Sequence, residues 1–284
     1  MDADRVIVIG AGIGGLAAAL DLAGRGFDVT VLERAAAPGG KMRRVAPGGR
    51  PIDAGPTVFT MRWVFDELFE GLGERLEDHL TLRPAETLAR HAWLPEAGGG
   101  RLDLFTDIER SADAIGQFAG AEEARGYRRF CSDAREMFET LEPSFIRAAE
   151  PSMGALIRRA GPGGLGRLGR TRPFSTLWKT LGRYFKDPRL RQLFGRYTTY
   201  VGASPFAAPA TLMLVAHVEQ AGVWYVEGGM HRLAQVLADR IEARGGTVRY
   251  DTPVAEILTT GDRVSGVWTV DGEEVAAARP KSPL

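Results

Sequence analysis

The chain has 284 residues, of which 44% are hydrophobic and 25% charged, with 36 basic residues balancing 36 acidic ones. That composition excludes a disordered chain, and a formal net charge of zero gives no overall case for nucleic acid. The single cysteine, Cys131, excludes a disulfide framework and a cysteine zinc cluster, and fits a reducing cytoplasm. The first strand is expected from residue 5, so no signal peptide is expected ahead of it. No uninterrupted apolar stretch approaches the length of a membrane-spanning helix.

Val6, Ile7, Val8 and Ile9 form a β-branched run, the pattern of a strand buried on both faces. It runs into Gly10-Ala-Gly12-Ile-Gly14-Gly15, then a Leu- and Ala-rich helix to about Arg25, ended by Gly26. A second apolar run, Val29–Leu32, stops at Glu33, which lies 21 residues after Gly12. Strand, glycine turn, helix, strand and acid in this order predict a dinucleotide site. Gly10 makes the tight turn, Gly12 admits a pyrophosphate to the backbone, and Gly15 permits close packing of helix on strand. The helix N-terminus offers free N–H groups and the positive end of its dipole to phosphate. Glu33 accepts hydrogen bonds from a ribose diol and repels a 2′-phosphate, which disfavours NADP.

Pro38-Gly-Gly40-Lys41 breaks regular structure after the acid and predicts a loop that lies against a flat ligand, with Lys41, Arg43 and Arg44 adding positive charge. Asp53-Ala-Gly55-Pro56-Thr57 is a second constrained segment. Helical spacing follows at Val64, Leu68 and Leu72, with Phe65 and Phe69. Residues 79–105 read as broken strands turned at Gly98–Gly100, and Thr106-Asp107 caps a helix. A further helix is expected from about Glu122 to Leu141, with Tyr127, Phe130, Ala134, Phe138 and Leu141 on one face.

Residues 151–196 carry eleven Lys and Arg against one acid, Asp187. Leu156, Ile157, Leu165, Leu168, Phe174, Leu177, Trp178, Leu181, Tyr184 and Phe185 are interleaved with them, a pattern that suits an anionic membrane surface. Leu190, Leu193, Phe194, Tyr197 and Val201 form one more helical stripe. His217 and Glu219 stand in an apolar, strand-like run. The stretch from Val223 through Gly228-Gly229 to Leu237 repeats the strand–glycine–helix pattern, Thr247–Tyr250 is a strand, and Pro253–Leu258 with Arg263–Val270 is a hairpin. The four histidines, His79, His91, His217 and His231, are scattered, each read as structural, and no metal-ligating cluster or catalytic acid or base stands out.

Taken together, VIVIGAGIGGLAAAL, VLER, PGGKM, DAGPTVF, VWYVEGGMHRLAQVLA and the paired strands after 247 resemble the FAD-dependent phytoene desaturase and amine oxidase superfamily. GPTVFTMRWVFDELF and LARHAW are similar to its bacterial carotenoid desaturases, on the 1-hydroxycarotenoid 3,4-desaturase branch. The resemblance implies an α/β fold: a Rossmann-like FAD-binding domain, residues 1–60 and 226–284, with an inserted α+β substrate- and membrane-binding domain, residues 61–225. It implies FAD on Gly10, Gly12, Gly14, Gly15, Glu33 and Arg34, with Gly40 and Lys41 on the flavin-side loop. Gly55, Pro56 and Thr57 would lie near the isoalloxazine, and the backbone of Val254 at the adenine end.

The implied reaction is desaturation of a carotenoid by hydride transfer to flavin N5, at the inner face of the cell membrane. The alternatives are an amine oxidase-like flavoenzyme and a truncated, non-catalytic carotenoid- or lipid-binding fragment. The short ending after DGEEVAAAR leads to the expectation of a C-terminally truncated FAD domain.

Overall fold

A computed structural model describes residues 5–150, 152, 154 and 175–277. In chain order the chain forms β1 (Arg5–Ile9), α1 (Ile13–Gly24), β2 (Asp28–Leu32), β3 (Arg43–Val45), β4 (Ile52–Ala54), α2 (Trp63–Glu70) and β5 (Leu82–Pro84). There follow β6 (Thr87–Ala92), β7 (Arg101–Phe105), α3 (Ile108–Ala119), α4 (Ala121–Leu141), α5 (Leu177–Leu181), α6 (Pro188–Gly195) and α7 (Leu214–Gln220). The last elements are β8 (Trp224–Val226), α8 (His231–Ala243), β9 (Thr247–Arg249), β10 (Val254–Thr260), β11 (Arg263–Thr269) and β12 (Glu274–Ala276).

These elements divide into two compact units, residues 1–84 with 224–284, and residues 85–223. The sequence boundaries at 60/61 and 225/226 therefore shift, and 61–84 joins the first unit. The reason is burial: Phe69 of α2, Leu76 and Leu80 pack into the same core as Leu16 and Leu20 of α1 and Leu233 and Leu237 of α8. β5 also pairs antiparallel with β8. Glu74 holds the join, accepting from Arg240 at 2.8 Å, Arg244 at 2.6 Å and His79 at 2.8 Å.

The nucleotide unit is built on a parallel sheet of order β1-β2-β9, with Val6 opposite Val29 and Val31 opposite Val248. β2 is thus the central strand and its Val29 and Val31 are buried. β1 departs from the expectation of two covered faces. Its residues are half-buried, and Ile9 is 49% exposed, because among the described residues β1 pairs only with β2. The expected hairpin forms as β10 and β11, extended by β12 into a second, antiparallel sheet.

In the second unit, Asp107 caps α3 by accepting from the Arg110 N–H at 2.8 Å. α4 buries the expected face, and Phe130 lies at its centre, edge-on to Phe185 at 5.5 Å and against Phe194 at 5.0 Å. The segment at 214–220 is a helix, not the strand-like run of the sequence reading. Its buried Val215, Ala216, Val218 and Glu219 follow a helical stripe packed on α4. The stripe from Leu190 to Val201 is α6 followed by a 3₁₀ turn, Arg196–Val201.

The basic segment is revised in the same way. Its described apolar residues Leu177, Leu181, Tyr184, Phe185, Leu190 and Phe194 are buried in the core of this unit instead of facing a surface. Residues 151, 153 and 155–174 of that segment, and the tail 278–284, lie outside the described residues. Among the described residues no helix is long and apolar enough to cross a membrane.

Candidate nucleotide-binding site

The glycine turn between β1 and α1 is closed from below by the next strand. Gly10, at φ +98°, donates its N–H to the Leu32 carbonyl at 2.8 Å. A Cβ on Gly15 would stand 2.1 Å from the Gly10 carbonyl oxygen, so helix and turn touch where only glycine fits. At Gly12 and Gly14 the situation is opposite, because a Cβ there would meet nothing within 4 Å. The start of α1 is open, and its N-cap, Gly12, supplies no side-chain hydrogen bond. The first N–H groups of a helix lack intrahelical partners, and an anion at such an end would receive them.

Glu33 is the most heavily bonded residue of the site. It is 7% exposed, and its carboxylate accepts from the Ala11 N–H at 2.6 Å and the Ala35 N–H at 2.9 Å. Its own N–H donates to the Arg249 carbonyl at 2.8 Å, and its carbonyl accepts from Thr252 at 2.8 Å. Asp251, at φ +50°, donates to the Ala35 carbonyl at 3.1 Å. The acid is therefore fixed between the glycine turn on one side and the segment leading to β10 on the other. Val254 begins β10 opposite Thr269, two residues after Thr252, and so lies at the Glu33 end of the site. A carboxylate has about four acceptor positions, so these two backbone bonds leave acceptor capacity for hydroxyl groups.

The loop after Pro38 crosses the turn. Gly39 bridges Gly12 and donates to the Ala11 carbonyl at 2.7 Å, and a Cβ on Gly40 would lie 3.2 Å from the Gly12 Cα. A Cβ on Gly55 would stand 2.0 Å from the Lys41 carbonyl oxygen, so the segment after β4 is pressed onto the same loop. Arg34, Lys41, Pro56 and Thr57 are exposed. Phe59 then pairs with Trp224 through two backbone bonds, at 3.0 and 2.8 Å, at the start of β8.

The structure gives several residues of this arrangement partners that the sequence does not show. His231, buried at the start of α8, holds the Met42 carbonyl at 2.8 Å through Nδ1. Arg44 bonds Asp53 at 3.1 Å and also the Gly228 carbonyl. Asp53 lies where a Cβ on Gly229 would be, 2.0 Å from that position. Gly39, Met42, Asp53, Gly229 and His231 together clamp the 39–44 loop to the second glycine turn. The repeated Gly-Gly pairs were the signal; which partner each faced was not in it.

In the other unit, Glu219 is buried and ion-paired with Arg196 at 3.0 Å, and the hydroxyls of Tyr197 and Tyr200 each donate to it at 3.1 Å. Burial, with Glu219 beside it, pushes the Tyr200 hydroxyl up to about 12. Burial also lowers His91 and His217, the first helped by Arg196 and the second by Arg135.

An open helix N-terminus, an anchored acid at the end of the next strand and a crossing Gly-Gly loop define the nucleotide-binding βαβ unit of a flavoprotein. The sequence pattern described as flavin containing amine oxidoreductase matches residues 13–279, and the chain belongs to that family. It is 54% identical over 273 residues to the hydroxyneurosporene desaturase of Rubrivivax gelatinosus, covering 96% of this chain and 52% of that protein. It is 47% identical to the hydroxyneurosporene desaturase of Cereibacter sphaeroides, covering 96% and 54%. The fold is similar to that of an oxidoreductase from Methanosarcina mazei, with a TM-score of 0.62 at 16% identity, covering 95% of this chain and 56% of that one. The chain spans about half the length of the curated relatives it matches.

FAD fits the residues present. Glu33 keeps acceptor capacity for a ribose diol, and Cβ positions at Gly12 and Gly14 meet nothing within 4 Å, which suits a pyrophosphate. Gly10, Gly12, Gly14, Gly15, Glu33 and Gly40 all belong to this turn and the segments bonded to it, and Val254 begins β10 two residues after Thr252, which bonds Glu33.

Proposed function

We propose that this chain is the nucleotide-holding and substrate-domain portion of an FAD-dependent carotenoid desaturase acting on a hydroxyneurosporene-type polyene. The 54% identity to a hydroxyneurosporene desaturase over 96% of the chain carries the reading. An amine oxidase-like activity on a polar substrate has no comparable support. Flavin, when bound, accepts a hydride from an allylic carbon of the polyene, where conjugation stabilises developing charge.

The chain's own residues bind and orient. Glu33 would hold the ribose and the N-terminus of α1 would compensate the pyrophosphate charge, while the clamp of Arg44, Asp53 and His231 keeps the 39–44 loop in register with the second glycine turn. A lipid-soluble substrate supports a peripheral position of the protein at the membrane.

The test is to titrate the purified 284-residue chain with FAD while recording its visible spectrum, then add a hydroxyneurosporene-type carotenoid without oxygen. A protein-bound flavin spectrum that bleaches on adding the carotenoid is expected. Flavin that binds and is bleached by amines, but not by carotenoid, would sink the reading.

A further inference from the structure

The second unit buries a group of polar atoms that no nucleotide contact uses. Glu219 of α7 accepts from the two terminal nitrogens of Arg196 at 3.2 and 3.0 Å, and from the hydroxyls of Tyr197 and Tyr200 at 3.1 Å each. Both carboxylate oxygens are thereby engaged, and the guanidinium charge is balanced. The remaining guanidinium nitrogen, Arg196 Nε, is buried and has no hydrogen-bond partner among the described residues. The same holds for Nε2 of His91 on β6. Leaving either atom unpaired costs stability.

The fold brings these two side chains into one neighbourhood. His91 and Trp93 stand two residues apart on extended backbone, so they share a face, and their rings stack at 6.0 Å. Trp93 Nε1 donates to Gln192 Oε1 at 2.8 Å. Gln192 and Arg196 lie one helical turn apart, on α6 and its C-cap, so they too share a face. The Trp93–Gln192 bond ties the two faces together. Burial first, and then the Arg196 charge, hold the His91 imidazole below the ordinary histidine range. The ring is therefore neutral at pH 7, and one of its nitrogens accepts a hydrogen bond.

A guanidinium N–H and an imidazole lone pair together call for a group that both accepts and donates. A ligand carboxylate or phosphate would meet the Glu219 charge, and an ammonium would meet Arg196. A hydroxyl serves both atoms and brings no charge. Beside them, Trp93 lies on His91 and 5.2 Å from Phe118, an apolar surface suited to the hydrocarbon that carries the hydroxyl. We propose that His91 Nε2 and Arg196 Nε form a subsite for the hydroxyl of an otherwise apolar polyene, and so select a hydroxylated substrate over a plain hydrocarbon. The hydroxyl donates to His91 while its oxygen accepts from Arg196, and Glu219 acts as a positioning residue that holds the guanidinium. The assignment rests on the reading of the chain as part of a carotenoid desaturase and names the residues that choose its substrate.

The test measures binding to the whole chain without turnover. Hydroxyneurosporene and neurosporene, in matched detergent micelles, are titrated against the protein while tryptophan fluorescence quenching is followed. The wild-type chain should bind the hydroxylated polyene about tenfold tighter, because neurosporene leaves both buried atoms unpaired. His91→Phe keeps a ring against Trp93, and Arg196→Lys keeps a cation for Glu219, so each removes one hydroxyl partner and little else. Each should lower affinity for hydroxyneurosporene about tenfold and leave that for neurosporene unchanged. Equal wild-type binding of the two polyenes would overturn the subsite alone. So would a wild-type preference kept by the variants, as expected if the two atoms only hold water, or a loss shared equally by both polyenes, as expected of a structural role. Binding of neither polyene would sink the desaturase reading and the subsite with it.

Discussion

Glu33 Oε2 accepts the backbone N–H of Ala11 at 2.6 Å, across 22 positions of sequence. One carboxylate thus ties the end of β2 to the turn after β1, while its second oxygen holds Ala35 at 2.9 Å. The acid braces the turn by itself, and the same charge is the one proposed to meet the ribose.

Glu33→Gln should therefore act twice. The amide offers one acceptor oxygen where the carboxylate offers two, so one of the two backbone donors loses its partner, at about 1–3 kcal/mol of folding stability. FAD affinity should fall about tenfold or more as charge-assisted bonds to hydroxyls weaken. Urea unfolding and flavin fluorescence titration check the two effects; unchanged FAD affinity would remove Glu33 from the site.

Gly15 and Gly14 are neighbours with opposite tolerance. Gly15→Ala drives a methyl into the Gly10 carbonyl, 2.1 Å away, and should cost about 1–3 kcal/mol. Gly14→Ala meets nothing within 4 Å and should change stability by no more than about 0.5 kcal/mol. Chemical denaturation of both variants without FAD checks the contrast, and equal losses would contradict the geometry.

Arg196→Met leaves Glu219 buried beside two tyrosines with no cation. The expected loss is about 3–5 kcal/mol. Adding Glu219→Leu should recover much of it, since an uncompensated buried charge costs more than an apolar pair. Urea unfolding of the single and double variants is the measurement.

His91 and His217 are both held below the ordinary histidine range, mainly by burial. A depressed pKa in the folded state means the unfolded chain binds more protons as pH falls, so stability rises with pH. Their contribution is complete above about pH 6.5, the unfolded value, and is lost as pH drops towards the folded values. Thermal melting followed through this range should show the slope. His91→Gln/His217→Gln should flatten it.

The glycine spacing and Glu33 were legible because a dinucleotide turn is a local object, in which chain separation and residue type together dictate the contact. The caps and stripes of α3 and α4 were legible for the same reason, with Asp107 bonding three residues ahead and Phe130, Ala134 and Phe138 recurring at helical spacing. Other assignments needed the third dimension. Leu177, Trp178 and Phe185 looked alike among the arginines, and only packing sent Leu177 and Phe185 inward and left Trp178 against the exposed Phe206. Residues 61–84 read as the start of an insertion until Phe69 and Glu74 were seen against α8.

By itself, then, the sequence determined the dinucleotide turn, the alternation of strands and helices, and the likeness to carotenoid desaturases, since each is carried by short-range pattern. The tertiary structure alone decided that Glu33 is pinned by Ala11 and Ala35, that His231 holds Met42, and that Glu219 is neutralised by Arg196. Those contacts join residues far apart in the chain, and burial and hydrogen-bond satisfaction, not local propensity, select them.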